Sequence, residues 1–128
     1  MDKITDIEYT KYDGKEYCFT CSLDRTVKAW TEAPDKRSLV LVAEFFLDAK
    51  ATSMQIATPT FLLVGLDNGS LAGWNLVTNK IEKLAAHSGT NSAISHIEKN
   101  TTLLYTGDYA GRVQIRNTTN YQLLIPEF

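Results

Sequence analysis

The sequence has no uninterrupted apolar run near the ~18 residues of a membrane span. Its first residues, MDKITDIEYT, contain no apolar segment of the kind that a secretory signal requires. The net charge is -2 at pH 7, so no excess of basic residues favours nucleic acid or acidic lipid. These absences predict a cytoplasmic globular protein that binds neither nucleic acid nor membrane. The length of 128 residues predicts a single domain over residues 1–128.

Histidine and cysteine are scarce, with two of each. Cys18 and Cys21 form a CxxC, but redox or metal chemistry would need a helix N-terminus or further ligands. On a strand, residues three apart point to opposite faces, so we expect two small buried apolar side chains instead. His87 and His96 have no companions at ligand spacing, and no nucleophile elbow or phosphate-binding loop is present. The sequence predicts no metal, no cofactor and no catalytic residue.

The chain does contain an internal repeat of about 43 residues. Each copy has a β-rich run that ends near an aspartate, a turn, and a second β-rich run. Trp30 and Trp74 are 44 residues apart, and Arg116 follows Trp74 by 42. Three copies fill the chain: FTCSLDRTVKAWTE (19–32), LLVGLDNGSLAGWNLVTN (62–79) and LLYTGDYAGRVQIRNTTN (103–120).

Each repeat predicts four short strands, because turn signals such as DG, DNG and TN separate the β-rich runs and no window has helical periodicity. The fold class is therefore all-β, with about twelve strands in units that span approximately 4–46, 51–86 and 92–127. The runs LVLVAEFF (39–46) and FLLVGL (61–66) are apolar at both odd and even positions, which point to opposite faces of a sheet. We therefore expect each sheet to be covered on both faces.

The segment SLDRTVKAW (22–30) resembles the strand–turn–strand signature of WD-repeat β-propellers, and GLDNGSLAGW (65–74) and TGDYAGRVQIR (106–116) are weaker copies. The resemblance implies a β-propeller of four-stranded antiparallel blades, three of them in this chain. It also implies that turn aspartates, a loop histidine, strand hydroxyls and tryptophans form structural hydrogen-bond networks. The residues assigned to these networks are Thr20, Ser22, Asp24 and Trp30 in the first unit, Asp67 and Trp74 in the second, and His87, Thr106 and Asp108 in the third. Counted back from the tryptophan position, Asp67 and Asp108 are displaced from the place of Asp24 by one and two residues, and Asn68 takes that place in the second unit.

The repeats depart from this pattern in ways that predict incomplete networks. No histidine precedes the first unit. Val64 and Leu66 stand where Thr20 and Ser22 stand in the first unit, and Arg116 replaces the third tryptophan.

Three blades leave two blade faces bare, each of roughly 350–400 Å². Propellers have about 4–8 blades, so a two-fold dimer would close a six-bladed ring. The alternative is that the chain is a piece of a longer propeller or that a different chain supplies the missing blades.

The WD-repeat resemblance implies a non-enzymatic scaffold that binds other proteins through its loops. The candidate partner-binding residues are charged, polar or aromatic residues of the turns and inter-blade loops: Arg25, Asp48, Lys50, Asp67, Asn91 and Tyr109. The alternative is a small-ligand-binding or hydrolytic six-bladed propeller that uses its central channel. The first strands offer Asp6, Glu8, His96 and Glu98 for that role, a set that is too small and too scattered in the sequence to define a reaction.

Overall fold

The computed structural model describes residues 3–86, 93–118 and 121–125, and within these ranges the chain forms β-strands and no helix. No described segment is a helix that could cross a membrane. The strands form three four-stranded antiparallel sheets in which each strand pairs with its neighbours along the chain. The all-β fold with four-stranded blades is therefore confirmed. The strands are β1 (Ile4–Tyr12), β2 (Lys15–Ser22), β3 (Thr26–Glu32), β4 (Leu39–Phe46), β5 (Ala51–Thr58), β6 (Phe61–Leu66), β7 (Ser70–Asn75), β8 (Lys80–Ala86), β9 (Ile94–Lys99), β10 (Leu103–Asp108), β11 (Val113–Asn117) and β12 (Leu123–Ile125).

We number the sheets as blade 1 (β1–β4), blade 2 (β5–β8) and blade 3 (β9–β12). The same tight turn joins the second and third strands of each blade. The third residue after the end of the second strand has a left-handed backbone in all three blades: Arg25 (φ 72°), Gly69 (φ 84°) and Gly111 (φ 87°). Its amide donates to the carbonyl three residues earlier, at 3.2, 3.1 and 3.1 Å respectively. The turn geometry therefore repeats even where the residue type does not.

The first strands of the blades, β1, β5 and β9, lie side by side and run in the same direction. Near their beginnings, the Thr5 hydroxyl donates to the Ala51 carbonyl at 2.8 Å and the Thr52 hydroxyl donates to the Ile94 carbonyl at 2.5 Å. Near their ends, the Thr10 hydroxyl donates to the Pro59 carbonyl at 3.2 Å. The second-to-third-strand turns of all three blades therefore lie at one end of the stack.

Blade 1 packs on blade 2 through a continuous apolar core. Phe19 and Val27 of blade 1 and Leu62 and Val64 of blade 2 are fully buried there. Trp74 of blade 2 is 1% exposed, and its indole meets the rings of Phe19 and Phe45 edge-on, with centroids 5.6 and 4.8 Å away. Edge-to-face aromatic pairs of this kind each add about 0.5–1.5 kcal/mol beyond the burial of area.

The opposite face of blade 2 packs on blade 3 through Leu63, Leu71, Ile94, Ile97 and Leu104. Because side chains alternate along a strand, β6 supplies both cores, with even positions facing blade 1 and odd positions facing blade 3. Blade 2 is thus covered on both faces.

The runs FLLVGL and LVLVAEFF both have apolar residues at odd and even positions, which predicts that both are covered. This prediction is correct for FLLVGL and wrong for LVLVAEFF. In β6, five of six residues are buried, whereas in β4 most residues are exposed. The reason is position in the stack: β6 lies in the middle blade, and β4 is the outer strand of an end blade.

Candidate interaction surface

One end of the stack, which we call the turn rim, consists of the three second-to-third-strand turns and the loop 47–50 between blades 1 and 2. In every blade, the backbone amide of the residue that follows the second strand donates to the carbonyl of the residue just before the first strand. These bonds join Leu23 to Lys3 at 3.1 Å, Asp67 to Lys50 at 2.8 Å, and Tyr109 to Ala93 at 3.1 Å. The rim is therefore built from backbone that is fixed in the same way three times.

In blade 1, Asp24 holds the turn with its side chain. Its Oδ1 accepts the Thr26 amide at 3.0 Å and also the Thr26 hydroxyl, while the Ser22 hydroxyl accepts the Asp24 amide at 3.2 Å. The Thr26 hydroxyl bond lowers the pKa of the Asp24 carboxyl below its ordinary value, because it stabilises the charged form. Thr26 thus supplies the bond for which the resemblance implied a histidine.

The tryptophan positions are held differently in each blade. The Trp30 indole N–H donates to the Thr20 hydroxyl at 3.0 Å, as the resemblance implies for these two residues. The Trp74 indole N–H donates to Asn79 Oδ1 at 3.3 Å, an acceptor that the strand spacing did not suggest. The indole N–H is the one polar group of the Trp74 ring, so this bond satisfies it, and the rest of the ring lies in the apolar core.

Arg116 takes the tryptophan position in blade 3 and is nearly buried. One terminal nitrogen of its guanidinium donates to Gln114 Oε1 at 2.6 Å, and the other donates to the Tyr121 carbonyl at 3.1 Å. Thr106, which resembles Thr20 in position, is buried on the same face of the blade. This blade fills the position with a hydrogen-bonded polar group instead of an indole.

The turns of blades 2 and 3 also use carboxylate and amide oxygens. Asp67 Oδ1 accepts the Lys50 amide at 3.2 Å, and Asn68 Oδ1 accepts the Ser70 amide at 3.0 Å, as Asp24 does for Thr26. Asp108 Oδ1 accepts the amides of Ala110 and Arg112 at 2.9 and 3.0 Å. These residues therefore fix turn geometry. His87 and Asn91 lie outside the described residues.

Several side chains on this fixed rim point into solvent. Arg25, Asp48 and Lys50 are exposed, and Tyr109 is 76% exposed. Asp67 is half-buried and bonded to the Lys50 backbone, so it contributes to the rim mainly as a support.

A cavity of about 360 Å³ opens beside these residues between blades 1 and 2. Phe46, Asp48, Asn68, Ile81 and Lys83 are among its lining residues, and Phe46 is 76% exposed. The apolar pattern of LVLVAEFF predicts a covered strand, so the exposure of Phe46 does not follow from the sequence pattern. The available signal was its place at the end of β4, next to the inter-blade loop.

The first strands line a second, polar cavity of about 320 Å³. Asp6, Glu8, His96 and Glu98 all contribute to it: although these residues are scattered in the sequence, the parallel stacking of β1, β5 and β9 brings them together. His96 Nε2 lies 2.9 Å from Glu98 Oε1. Burial raises the pKa of Glu8, and the neighbouring Asp6 raises it further. Among residues 3–86, 93–118 and 121–125, no three His, Cys, Asp or Glu side chains are grouped as metal ligands.

The two cysteines are free and lie on opposite faces of β2. Cys21 is fully buried in the core between blades 1 and 2, and burial raises the pKa of its thiol to about 11. Cys18 is only half-buried, so the expectation that both are buried is wrong for this residue. It faces the side of blade 1 that no other described blade covers.

Comparison with known proteins supports the fold and no narrower relationship. The chain is similar to the computationally designed Ika4 protein, with a TM-score of 0.76 and 19% identity over 98% of this chain and 72% of that one. It is similar to the computationally designed Ika8 protein (TM-score 0.74, 20% identity) and to U3-55K (TM-score 0.76, 15% identity), covering 98% and 100% of this chain. The chain spans only 36% of the length of Ika8 and 39% of that of U3-55K. No protein-family model and no curated protein matches it. The three sheets of this chain are accordingly blades of β-propeller type.

Proposed function

We propose that this chain is a non-enzymatic, WD-repeat-type scaffold that binds other proteins in the cytoplasm through its turn rim. The observation that carries the proposal is the residue at the left-handed position of the three turns. Blades 2 and 3 have glycine there, whereas blade 1 has Arg25, with φ 72° and an exposed side chain. A left-handed backbone costs a residue with a Cβ about 1–2 kcal/mol, and glycine avoids that cost.

The chain holds Arg25 through its backbone only: its amide donates to the Ser22 carbonyl at 3.2 Å, and its carbonyl accepts the Leu47 amide at 2.7 Å. Among the described residues, the Arg25 side chain makes no hydrogen bond or ion pair. Strained backbone positions persist where the surrounding structure holds them, and they cluster at functional sites. The guanidinium is therefore available to a partner, and arginine is among the residue types that dominate binding energy at interfaces.

Lys50 and Tyr109 extend this surface along the rim. Tyr109 is 76% exposed, and its backbone is fixed by the bond to Ala93, so its ring is presented from a rigid position. Rigid aromatic residues contribute large contact area at low entropic cost. The cavity beside Phe46 would accept an apolar side chain of the partner, and Asp48 and Lys83 at its lining would bind polar groups around it. The resemblance of residues 22–30 to the WD-repeat signature supports the same role.

The test uses a rim variant, Arg25→Gly/Lys50→Ala/Tyr109→Ala, and a matched control on the opposite rim, Lys11→Ala/Arg37→Ala/Val77→Ala. All six positions are exposed. Affinity capture from lysate of the source cells, quantified by mass spectrometry, identifies proteins bound by the wild type, and the purified partner is then titrated against all three forms. We expect the rim variant to lose binding and the control to retain it.

Thermal unfolding separates this effect from a loss of structure. Because Arg25→Gly relieves the left-handed strain, the rim variant should unfold at the same temperature as the wild type or higher. Equal binding by the rim variant and the wild type would refute the proposal.

A small-ligand-binding or hydrolytic role for the inner strands is the second candidate, favoured by the one cavity that Asp6, Glu8, His96 and Glu98 line together. A stoichiometric metal in the purified protein, lost on Glu98→Gln and His96→Gln substitution, would support this role over the scaffold.

A further inference from the structure

Two blade faces are uncovered in the part of the chain that the structure describes, and they are of different kinds. On blade 1, Ile7, Tyr9, Cys18, Trp30 and Leu41 share the face that points away from blade 2. Ile7 and Tyr9 are exposed, Leu41 is 44% exposed, and Trp30 is half-buried. We call this surface the tryptophan face.

The contact between blades 1 and 2 shows what kind of face packs on a tryptophan face. Trp74 occupies in blade 2 the register position of Trp30, since Leu62 pairs with Trp74 as Cys18 pairs with Trp30. Trp74 is covered by blade 1, and its ring packs on Phe19 and Phe45. The tryptophan face of one blade thus packs on the preceding blade, on the side of that blade's sheet opposite to its own tryptophan position.

Blade 3 exposes a face of that opposite kind. By register, Tyr105 takes the position of Phe19, because Tyr105 pairs with Ile115 as Phe19 pairs with Ala29. Val113 likewise takes the position of Val27, but Val113 is 39% exposed where Val27 is fully buried. We call this surface the receiving face.

We call each contact between the facing surfaces of two blades a joint. A hydroxyl at the inner end of each joint gives independent evidence that a further blade packs on blade 3. Thr5 and Thr52 each approach a carbonyl within their own blade and a carbonyl of the next blade, Ala51 and Ile94 respectively. Ser95 has the same place in blade 3, and its hydroxyl donates to the Gly107 carbonyl at 3.1 Å, as Thr52 does to Gly65. The carbonyl that would complete the series belongs to the residue before Thr5, which is Ile4.

We infer that a second copy of this chain covers both faces, head to tail, so that the tryptophan face of each copy lies on the receiving face of the other. In this arrangement Trp30 packs on Tyr105, and the Ser95 hydroxyl reaches the Ile4 carbonyl of the second copy. Each copy carries both halves of the joint, and both halves have the form of a joint that the chain already makes internally.

The area and the blade number agree with two copies. Four faces of about 350 Å² each, from two identical joints, would bury roughly 1,400 Å², within the ~1,200–2,000 Å² of stable interfaces. Two copies give six blades, inside the usual range of about 4–8, whereas three give nine. This inference does not depend on the proposed function, because the turn rim and the two faces share no residue.

The test is the mass of the purified chain by light scattering across a dilution series, with three aspartate variants. Leu41→Asp lies on the tryptophan face and Val113→Asp on the receiving face; Val77→Asp, 64% exposed on the opposite rim, is the control. We expect a wild-type mass of twice 14.3 kDa, unchanged by Val77→Asp. Each face variant should raise the dissociation constant by about a hundredfold, as expected for a charge buried in a hot spot.

Mixing the two face variants tests the head-to-tail geometry. A mixed pair has one unaltered joint and one joint that carries both substitutions, so the mixture should associate more tightly than either variant alone. In an arrangement that pairs like faces, one of the two variants would associate as the wild type does. A monomeric wild type at 50 µM, a trimeric or polymeric mass, or indifference to either face variant would overturn the inference, and circular dichroism verifies that each variant is folded.

Discussion

Gly65 lies where blade 3 packs against blade 2, and its replacement by alanine tests this packing directly. A Cβ at this position would lie 2.5 Å from Ser53 Oγ and 2.6 and 2.7 Å from Cγ2 and Cβ of Ile94. Ile94 is fully buried, and both of its close atoms are at or next to its backbone, so the side chain cannot turn away. The two blades must separate by several tenths of an ångström or more.

The magnitude follows from two opposing terms. Overpacking of a close-packed core costs typically about 1–3 kcal/mol, and with three approaches below 3.0 Å the upper half of this range applies. Alanine recovers about 0.5–1 kcal/mol, because glycine loses more conformational freedom on folding. The expected net loss is about 2 kcal/mol, or roughly 6–10 °C in the unfolding temperature of a domain of this size.

The chain offers a matched control at the equivalent position of blade 3. Gly107 pairs with Val113 as Gly65 pairs with Leu71, but a Cβ at Gly107 would meet nothing closer than 3.9 Å. In the dissociated chain, where nothing covers the receiving face, Gly107→Ala should therefore be neutral or stabilising by about 0.5 kcal/mol. Urea unfolding of both variants at one chain concentration, low enough that light scattering shows single chains, provides the comparison. If Gly65→Ala were as stable as Gly107→Ala, the proposed close approach of the blades would be wrong.

Two further predictions concern blade 1. Thr20→Val removes the acceptor of the Trp30 indole N–H at 3.0 Å and should lower the free energy of unfolding in urea by about 1–2 kcal/mol, whereas Thr20→Ser should retain most of it; equal losses in both would contradict a role for the hydroxyl. Because burial raises the pKa of Cys21 to about 11, this thiol should not react with Ellman's reagent at pH 8 in the folded protein and should react in urea. A native titre of two thiols would exclude that burial.

The strands were predictable from the sequence because their signal is local. Each blade repeats the same alternation and the same turn, and a residue such as Asp24 holds a turn that spans only a few positions. The pairing of Trp30 with Thr20 was predictable for the same reason, since both lie on adjacent strands of one hairpin.

The features that the sequence did not predict depend on which residues and blades become neighbours in the fold. Asp6 and His96 are 90 residues apart in the sequence, and only the stacking of first strands brings them to one cavity. The exposure of β4 likewise depends on its place in an end blade, because its apolar pattern is the same as that of a covered strand. Asn79 was missed as the acceptor of the Trp74 indole because it lies in a loop, where spacing does not fix direction.

In the part of the chain that the structure describes, the hydrogen bonds named above stay inside one blade or join neighbouring blades along their first strands. Within blade 1, pairing extends no further than from Ile4 to Ser22 and from Thr26 to Phe46. Pairing over such short separations closes small loops, so each hairpin can form quickly before the sheets stack. A gene that gained or lost one whole unit would therefore keep every strand register intact, and repeat number could change in evolution without redesign of the remaining blades.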